Sequence, residues 1–322
     1  MEGERHAAGT AVTAPDLSVT IAGIRFRNPV IAASGTFGYG REYAELIDVS
    51  RLGGICTKGL TLRPRQGNGG RRLHETPSGL MNSIGLENPG IPAFIEKELP
   101  ALRKLGPLVI ANLSGSSVEE YAGGAALLDN TSVDMIELNI SCPNVKTGGM
   151  SFGIDPETAA SVTAPVRRAA PHKPLMVKLS PNAPDLAAVA RACVNAGADA
   201  LSLVNTFKAM AIDIYGRRPV FDNISAGLSG PAIRPIALRM VWELREALGP
   251  GGVPIVGMGG IARTEDALEF LMAGTSAIQV GSASFAHPPA MIEIIEGIED
   301  YMRRQGIAST AELDIRLPPR RG

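Results

Sequence analysis

The sequence predicts an α/β protein, a TIM (β/α)8 barrel preceded by a small β-hairpin. Three observations carry this. Eight short runs rich in Val, Ile and Leu recur along the chain without the apolar/polar alternation of a half-exposed sheet, as parallel strands covered on both faces do. Amphipathic helical stretches separate them. Polar residues recur at the C-terminal end of almost every run, where a barrel gathers them at one mouth. An open doubly wound sheet is the competing architecture, but it would spread those strand ends along an edge.

Taken in order, Met1 to Asp16 is polar and reads as a disordered tail, without the apolar stretch of a signal peptide. Leu17 to Phe26 places Val19, Ile21, Ile24 and Phe26 around a turn at Ala22-Gly23, the pattern of a hairpin. The candidate barrel strands are Val30–Ser34, Gly54–Lys58, Leu108–Asn112, Met135–Ile140, Leu175–Leu179, Ala200–Asn205, Pro254–Gly257 and Ala277–Val280. Leu186, Val189, Ala190, Cys193 and Val194 form a helical stripe that Gly197 ends, and Thr264 is placed to cap the helix carrying Leu268, Leu271 and Met272. The charged segment Arg63–Glu75 reads as a loop, and His74 within it is assigned no role. The expected division is a tail over 1–16, one barrel over 17–308 and a C-terminal tail over 309–322.

Composition narrows the function. The chain has 322 residues, with 31 Lys plus Arg against 32 Asp plus Glu. A net charge of −1 gives no electrostatic basis for nucleic acid or an anionic membrane as the main partner. The three cysteines, Cys56, Cys142 and Cys193, are an odd number without close pairing, which suits a reducing, cytoplasmic setting. The four histidines are scattered and no Cys-x-x-Cys occurs, so no metal site is expected.

The chemistry concentrates at the strand ends. Glu137 to Gly149, E-L-N-I-S-C-P-N-V-K-T-G-G, leaves an apolar strand and enters a polar loop with Cys142 between Ser141 and Pro143. A thiol there can be a nucleophile, a base or an inert small hydrophobe. Cys56 and Cys193 read as the last of these. Lys58 and Lys178 end apolar strands, where a lysine needs a partner; Schiff-base formation and stabilisation of a ligand anion are both open. Asn82, Asn112, Asn139 and Asn205 each offer a donor and an acceptor, which suits a ring edge that alternates N–H and C=O. Gly257–Ile261 and Gly281-Ser282 follow the last two strands, the usual phosphate cradle of a barrel. Without a G-x-G-x-x-G or Walker motif in context, a mononucleotide fits better than NAD or ATP.

Five segments in order resemble the class 1 dihydroorotate dehydrogenases: N-P-V-I-A-A-S-G-T-F-G-Y-G (28–40), T-K-G-L-T-L-R-P-R-Q-G-N (57–68), N-S-I-G-L-E-N-P-G (82–90), I-E-L-N-I-S-C-P-N-V-K (136–146) and G-L-S-G-P-A-I-R-P (227–235). The likeness runs from about Leu17 to about Ala308. It implies an FMN-binding barrel that oxidises dihydroorotate to orotate in pyrimidine biosynthesis. It also implies Cys142 as catalytic base and Lys58, Asn82, Ser83, Ile84, Gly85, Leu86, Asn139, Asn205 and Thr206 at the substrate. At FMN it implies Ser34, Lys58, Gly59, Asn112, Asn139, Lys178, Val204, Gly227, Gly259, Gly260, Gly281 and Ser282. On this reading both lysines stabilise charge. S-C-P-N-V-K-T-G-G and A-I-R-P-I-A-L-R-M-V look like class 1B, whose members pass electrons to NAD through a partner subunit with FAD and a [2Fe–2S] cluster; a homodimer or a heterotetramer is implied. Fumarate-reducing class 1A usually has Asn where Ser141 stands. Outside the family, a tRNA-dihydrouridine synthase would need a basic face, a Schiff-base aldolase would be colourless, and a scaffold without chemistry would not keep Cys142, Lys58 and the amides.

Overall fold

The computed structural model describes residues 14–141 and 152–314. Eight parallel strands close into a barrel in chain order: β1 Val30–Ala32, β2 Gly54–Cys56, β3 Leu108–Leu113, β4 Met135–Asn139, β5 Leu175–Lys178, β6 Ala200–Leu203, β7 Ile255–Met258 and β8 Ala277–Val280. β8 pairs with β1, Ile278 opposite Val30, so no edge remains. All eight predicted runs are barrel strands, within two residues at their ends.

Strand periodicity sorts the side chains into two cores. Successive residues point to opposite faces. One face of each strand packs under the surrounding helices, as Val109, Ile136, Val177, Leu201 and Ile278 do. The other face fills the lumen. Its lower layer takes one residue from every strand: Ile31, Cys56, Ile110, Met135, Met176, Ala200, Val256 and Ala277. Ile21 and Phe26 join that layer. They come from the predicted hairpin, Val19–Ile21 paired with Ile24–Phe26, which turns at Ala22 and Gly23, both at positive φ. The hairpin thus plugs the N-terminal end of the barrel, and the lumen opens only toward the C-terminal strand ends.

The longer helices are Val118–Asp129, Pro156–Ala169, Leu186–Asn195, Arg234–Leu248, Thr264–Met272 and Ala290–Gln305. Ser117, Asp155 and Asp185 cap the first three by accepting from the backbone N–H of the third helical residue, Glu120, Thr158 and Ala188. Thr264 is not the cap expected of it: it is the first helical residue and Arg263 holds the cap position. The side chain of Asp266 accepts instead from the N–H groups of Ala262 and Arg263.

A second sheet lies outside the barrel, in the order Phe207–Met210, Ser225–Ser229, Gly79–Asn82, Leu73–Thr76. Its last strand lies within and just past the segment read as the 63–75 loop. His74 there packs its ring edge-on against Phe221. The β6–helix connection and the β2–helix connection meet in this sheet, through Gly227 opposite Asn82. Near the C-terminus, Asp16 bridges Ser309, and Leu313 is buried. Among the described residues no helix is long and apolar enough to cross a membrane.

Candidate active site

The barrel mouth and the outer sheet enclose a cavity of about 290 Å3. Ser34 and Gly35 after β1, Lys58 and Gly59 after β2, Asn112 of β3, Asn139 of β4 and Lys178 of β5 reach it. So do Val204 to Thr206 after β6, Gly259 and Gly260 after β7, and Gly281 and Ser282 after β8. The outer sheet adds Asn82 to Leu86 and Gly227. Every residue that the family resemblance assigned to substrate or cofactor therefore lines one cavity, whereas Gly257 of the expected phosphate cradle faces Phe270 and Thr275 instead. Cys142 lies outside the described residues. The chain reaches it through Ser141, which is buried at the mouth.

Below the mouth the lumen turns polar. Two residues above the apolar layer, the same inward face carries Asn112, Glu137, Lys178, Ser202 and Gln279, all buried. Glu137 is the centre of this layer. Its Oε1 accepts from Ser202 Oγ at 2.9 Å and from Gln279 Nε2 at 2.7 Å. Its Oε2 accepts from Asn112 Nδ2 at 2.6 Å and from the Cys56 thiol at 3.1 Å. Lys178 Nζ lies 4.0 Å from the same oxygen. Burial alone would raise the carboxyl pKa. The Lys178 ammonium and the bonds from Cys56, Gln279 and Ser202 outweigh it and hold Glu137 below the usual carboxylate value. Cys56 moves the other way: burial and the Glu137 carboxylate push its thiol well up, so it stays a protonated donor.

At the mouth the amides are tied together. Asn139 Oδ1 accepts from both the N–H and the hydroxyl of Ser141, at 3.2 and 2.6 Å. The Ser141 hydroxyl accepts in turn from Asn205 Nδ2, and Asn205 Oδ1 accepts from Thr206 N at 2.9 Å. Ser83 Oγ accepts from Asn68 and Asn223, which fixes the start of the Ser83–Leu86 segment. Lys58 is half-buried; burial pulls its pKa below the ordinary lysine value, Glu87 opposes this and Arg72 adds to it.

The glycines divide by cause. A side chain at Gly260 would meet Gly230 O at 2.7 Å and Arg234 N at 2.9 Å, so packing and its φ of 77° already demand glycine. At Gly281 the nearest protein atom to an added Cβ is 3.5 Å away, ordinary contact. Protein packing therefore does not demand glycine at 281, which lines the cavity.

Sequence reading missed Glu137, Gln279 and the bridging role of Ser141. The signal was present in I-E-L-N-I, where Glu137 shares the inward face of Asn139 and alternates with Ile136, Leu138 and Ile140. Gln279 repeats it, a single polar residue in A-I-Q-V.

The dihydroorotate dehydrogenase family model matches residues 16–302. Among similar proteins, the "dihydroorotate dehydrogenase B (NAD(+)), catalytic subunit" of Petrotoga mobilis is 58% identical over 298 residues, covering 92% of this chain and 98% of that one. The protein of the same name from Geotalea daltonii is 55% identical, covering 93% and 97%. That of Caldicellulosiruptor saccharolyticus is 53% identical, covering 92% and 98%. The match spans the hairpin, all eight barrel strands and the outer sheet that together build the cavity: the chain belongs to the dihydroorotate dehydrogenase family.

Proposed function

We propose that this chain oxidises dihydroorotate to orotate with a bound FMN and delivers the electrons to NAD through a separate electron-transfer subunit carrying FAD and a [2Fe–2S] cluster. The observation that carries the reading is the convergence on one cavity of two strand-end lysines and four amides, Asn82, Asn112, Asn139 and Asn205. The NAD-linked names of relatives more than half identical over nearly the whole chain support the acceptor. The chain works as a homodimer joined to that subunit.

The residues present fit FMN on two counts. Gln279 keeps a buried amide oxygen without a partner among the described residues, and it lines the cavity. Gly281 lines the same cavity, and protein packing does not account for its glycine. Ser34, Gly59, Asn112, Lys178, Val204, Gly227, Gly259, Gly260, Gly281 and Ser282 would hold the cofactor. When bound, FMN supplies the two-electron acceptor for the hydride that leaves the substrate ring.

The chain's own residues do the rest. Asn82, Asn139, Asn205 and Thr206 orient the dihydroorotate ring by its alternating donors and acceptors, and the Ser83–Leu86 segment closes over it. Lys58 offsets the substrate carboxylate, and Lys178 offsets negative charge at the cofactor. The Cys142 thiolate takes the proton from ring carbon 5.

Anaerobic mixing with dihydroorotate tests this. The purified yellow protein bleaches, and Cys142→Ser bleaches about 10²–10⁴-fold more slowly at neutral pH, the worth of a positioned base. Wild-type bleaching speed in Cys142→Ser would sink the assigned base. Turnover with NAD should require the co-purified electron-transfer subunit. Turnover with fumarate by this chain alone would overturn the acceptor.

A further inference from the structure

We propose that Gln279, its amide locked by Glu137, is the acceptor that reads the ring imide N–H of the bound flavin and so fixes how the cofactor lies on the barrel floor. The inference rests on the FMN reading above and adds to it a positioning residue that none of the family motifs assigned.

The Gln279 amide has its direction set by its partner. Gln279 Nε2 lies 2.7 Å from Glu137 Oε1. An ionised carboxylate only accepts, so the nitrogen of Gln279 must face it and the oxygen must face away. Glu137 is ionised: the Lys178 ammonium and the donors around it hold its pKa low despite burial. The orientation of Gln279 is therefore set by the protein before any ligand arrives.

The oxygen left over is the second observation. Gln279 is 1% exposed, and its Oε1 has no hydrogen-bond partner among the described residues. A buried acceptor without a donor is costly, and native folds keep few of them. This one lines the cavity. Lys178, three strands away round the ring, is a donor on the same floor and lies by the other carboxylate oxygen of Glu137. A buried acceptor on the cavity floor calls for a ligand N–H, and the ring system of an oxidised isoalloxazine offers one, its imide.

Dihydroorotate carries the same imide, so the chemistry has two possible sources. Position favours the flavin. Gln279 belongs to the lumen layer with Glu137 and Lys178, two residues above Ala277 of the apolar plug. The segment assigned to substrate, Ser83 to Leu86, enters from the outer sheet after strand Gly79–Asn82.

The test compares FMN with N3-methyl-FMN, in which the imide hydrogen is replaced, by fluorescence titration of flavin-stripped protein. Wild type should bind the methylated flavin at least about tenfold more weakly, the worth of one buried hydrogen bond. Gln279→Met should bind FMN about tenfold more weakly and lose most of the discrimination, while orotate affinity of its FMN-loaded form stays within about twofold. Equal loss of affinity for both flavins would make Gln279 structural and overturn the proposal. So would a loss of orotate affinity with flavin binding intact, which would give the N–H to the substrate. Equal affinity of wild type for the two flavins overturns it even if Gln279→Met does not fold. Failure of wild type to bind FMN at all would instead strike the cofactor reading itself.

Discussion

Glu137 and Lys58 are the two charges whose surroundings most shape the site. Glu137 sits where burial favours the acid, yet its neighbours hold it ionised. A carboxyl whose folded pKa is depressed adds stability above its unfolded value and loses it as the pH falls through the folded one. Glu137→Gln keeps the shape, strips Lys178 of its counter-charge and turns an N–H toward groups that already donate. It should cost about 3–5 kcal/mol in urea unfolding at neutral pH, as removal of one member of a buried pair does. The loss should shrink in acid. An undiminished midpoint at neutral pH would show that the lumen tolerates an unpaired lysine. Lys58 is shifted in the opposite sense. Burial lowers its folded pKa, so the protein holds it charged only at some cost, and that cost disappears once the pH has risen past the unfolded lysine value. Its charge is what a substrate carboxylate needs. Orotate affinity should therefore hold at neutral pH and weaken as the pH rises, starting below the ordinary lysine range. Lys58→Met should weaken orotate about 10–100-fold at neutral pH and erase that alkaline limb, since a charge-assisted bond is worth about 1.5–3 kcal/mol. An alkaline limb that survives in Lys58→Met, read by orotate titration, would assign it to another group.

At the scale of elements, the barrel was legible and the outer sheet was not. The barrel strands are buried on both sides, so their runs are dense in Val, Ile and Leu and need no partner to be recognised. The outer strands L-H-E-T, G-L-M-N, F-K-A-M and S-A-G-L-S are short and mixed in polarity. Nothing local distinguishes them from loop; pairing between distant segments makes them strands. The same limit hid Glu137. Reading only strand ends found the mouth, whereas the lumen below it is written in every second residue of the strand interiors. Gly227 ties these elements together. It pairs with Asn82 and with Lys208, and an added Cβ would lie 2.1 Å from Thr206 Oγ1 and 2.7 Å from Thr206 Cβ. The second atom is fixed to the backbone, so rotation of Thr206 does not relieve the clash. Gly227→Ala should cost about 1–3 kcal/mol as overpacking does and should weaken orotate by displacing Asn82 and Thr206 together. A variant with wild-type orotate affinity would show that this sheet does not set the site.

The whole molecule is a closed ring with one plugged end and one open end, and this decides how a ligand acts on stability. Each of the eight strands, or the loop that follows it, contributes at least one residue to the cavity wall. A ligand there bridges strands that are far apart in sequence, β1 and β8 among them, whose pairing closes the ring. It cannot be released by fraying of one segment without opening the mouth. Binding to the folded state alone adds stability as RT ln(1 + [L]/Kd), about 2.7 kcal/mol at a hundredfold excess over Kd. For a chain somewhat larger than 250 residues each kcal/mol moves the melting temperature by roughly 2 °C. Flavin-stripped protein should then melt about 5 °C lower than protein in hundredfold excess of FMN, and both should melt in one transition. Gln279→Met, binding more weakly, should show a smaller shift at the same FMN concentration while its flavin-free form melts near wild type. Two separate transitions in the stripped protein, seen by calorimetry, would mean that the plugged lower barrel and the open mouth unfold as independent units, and that the cavity wall is assembled by the ligand rather than offered to it.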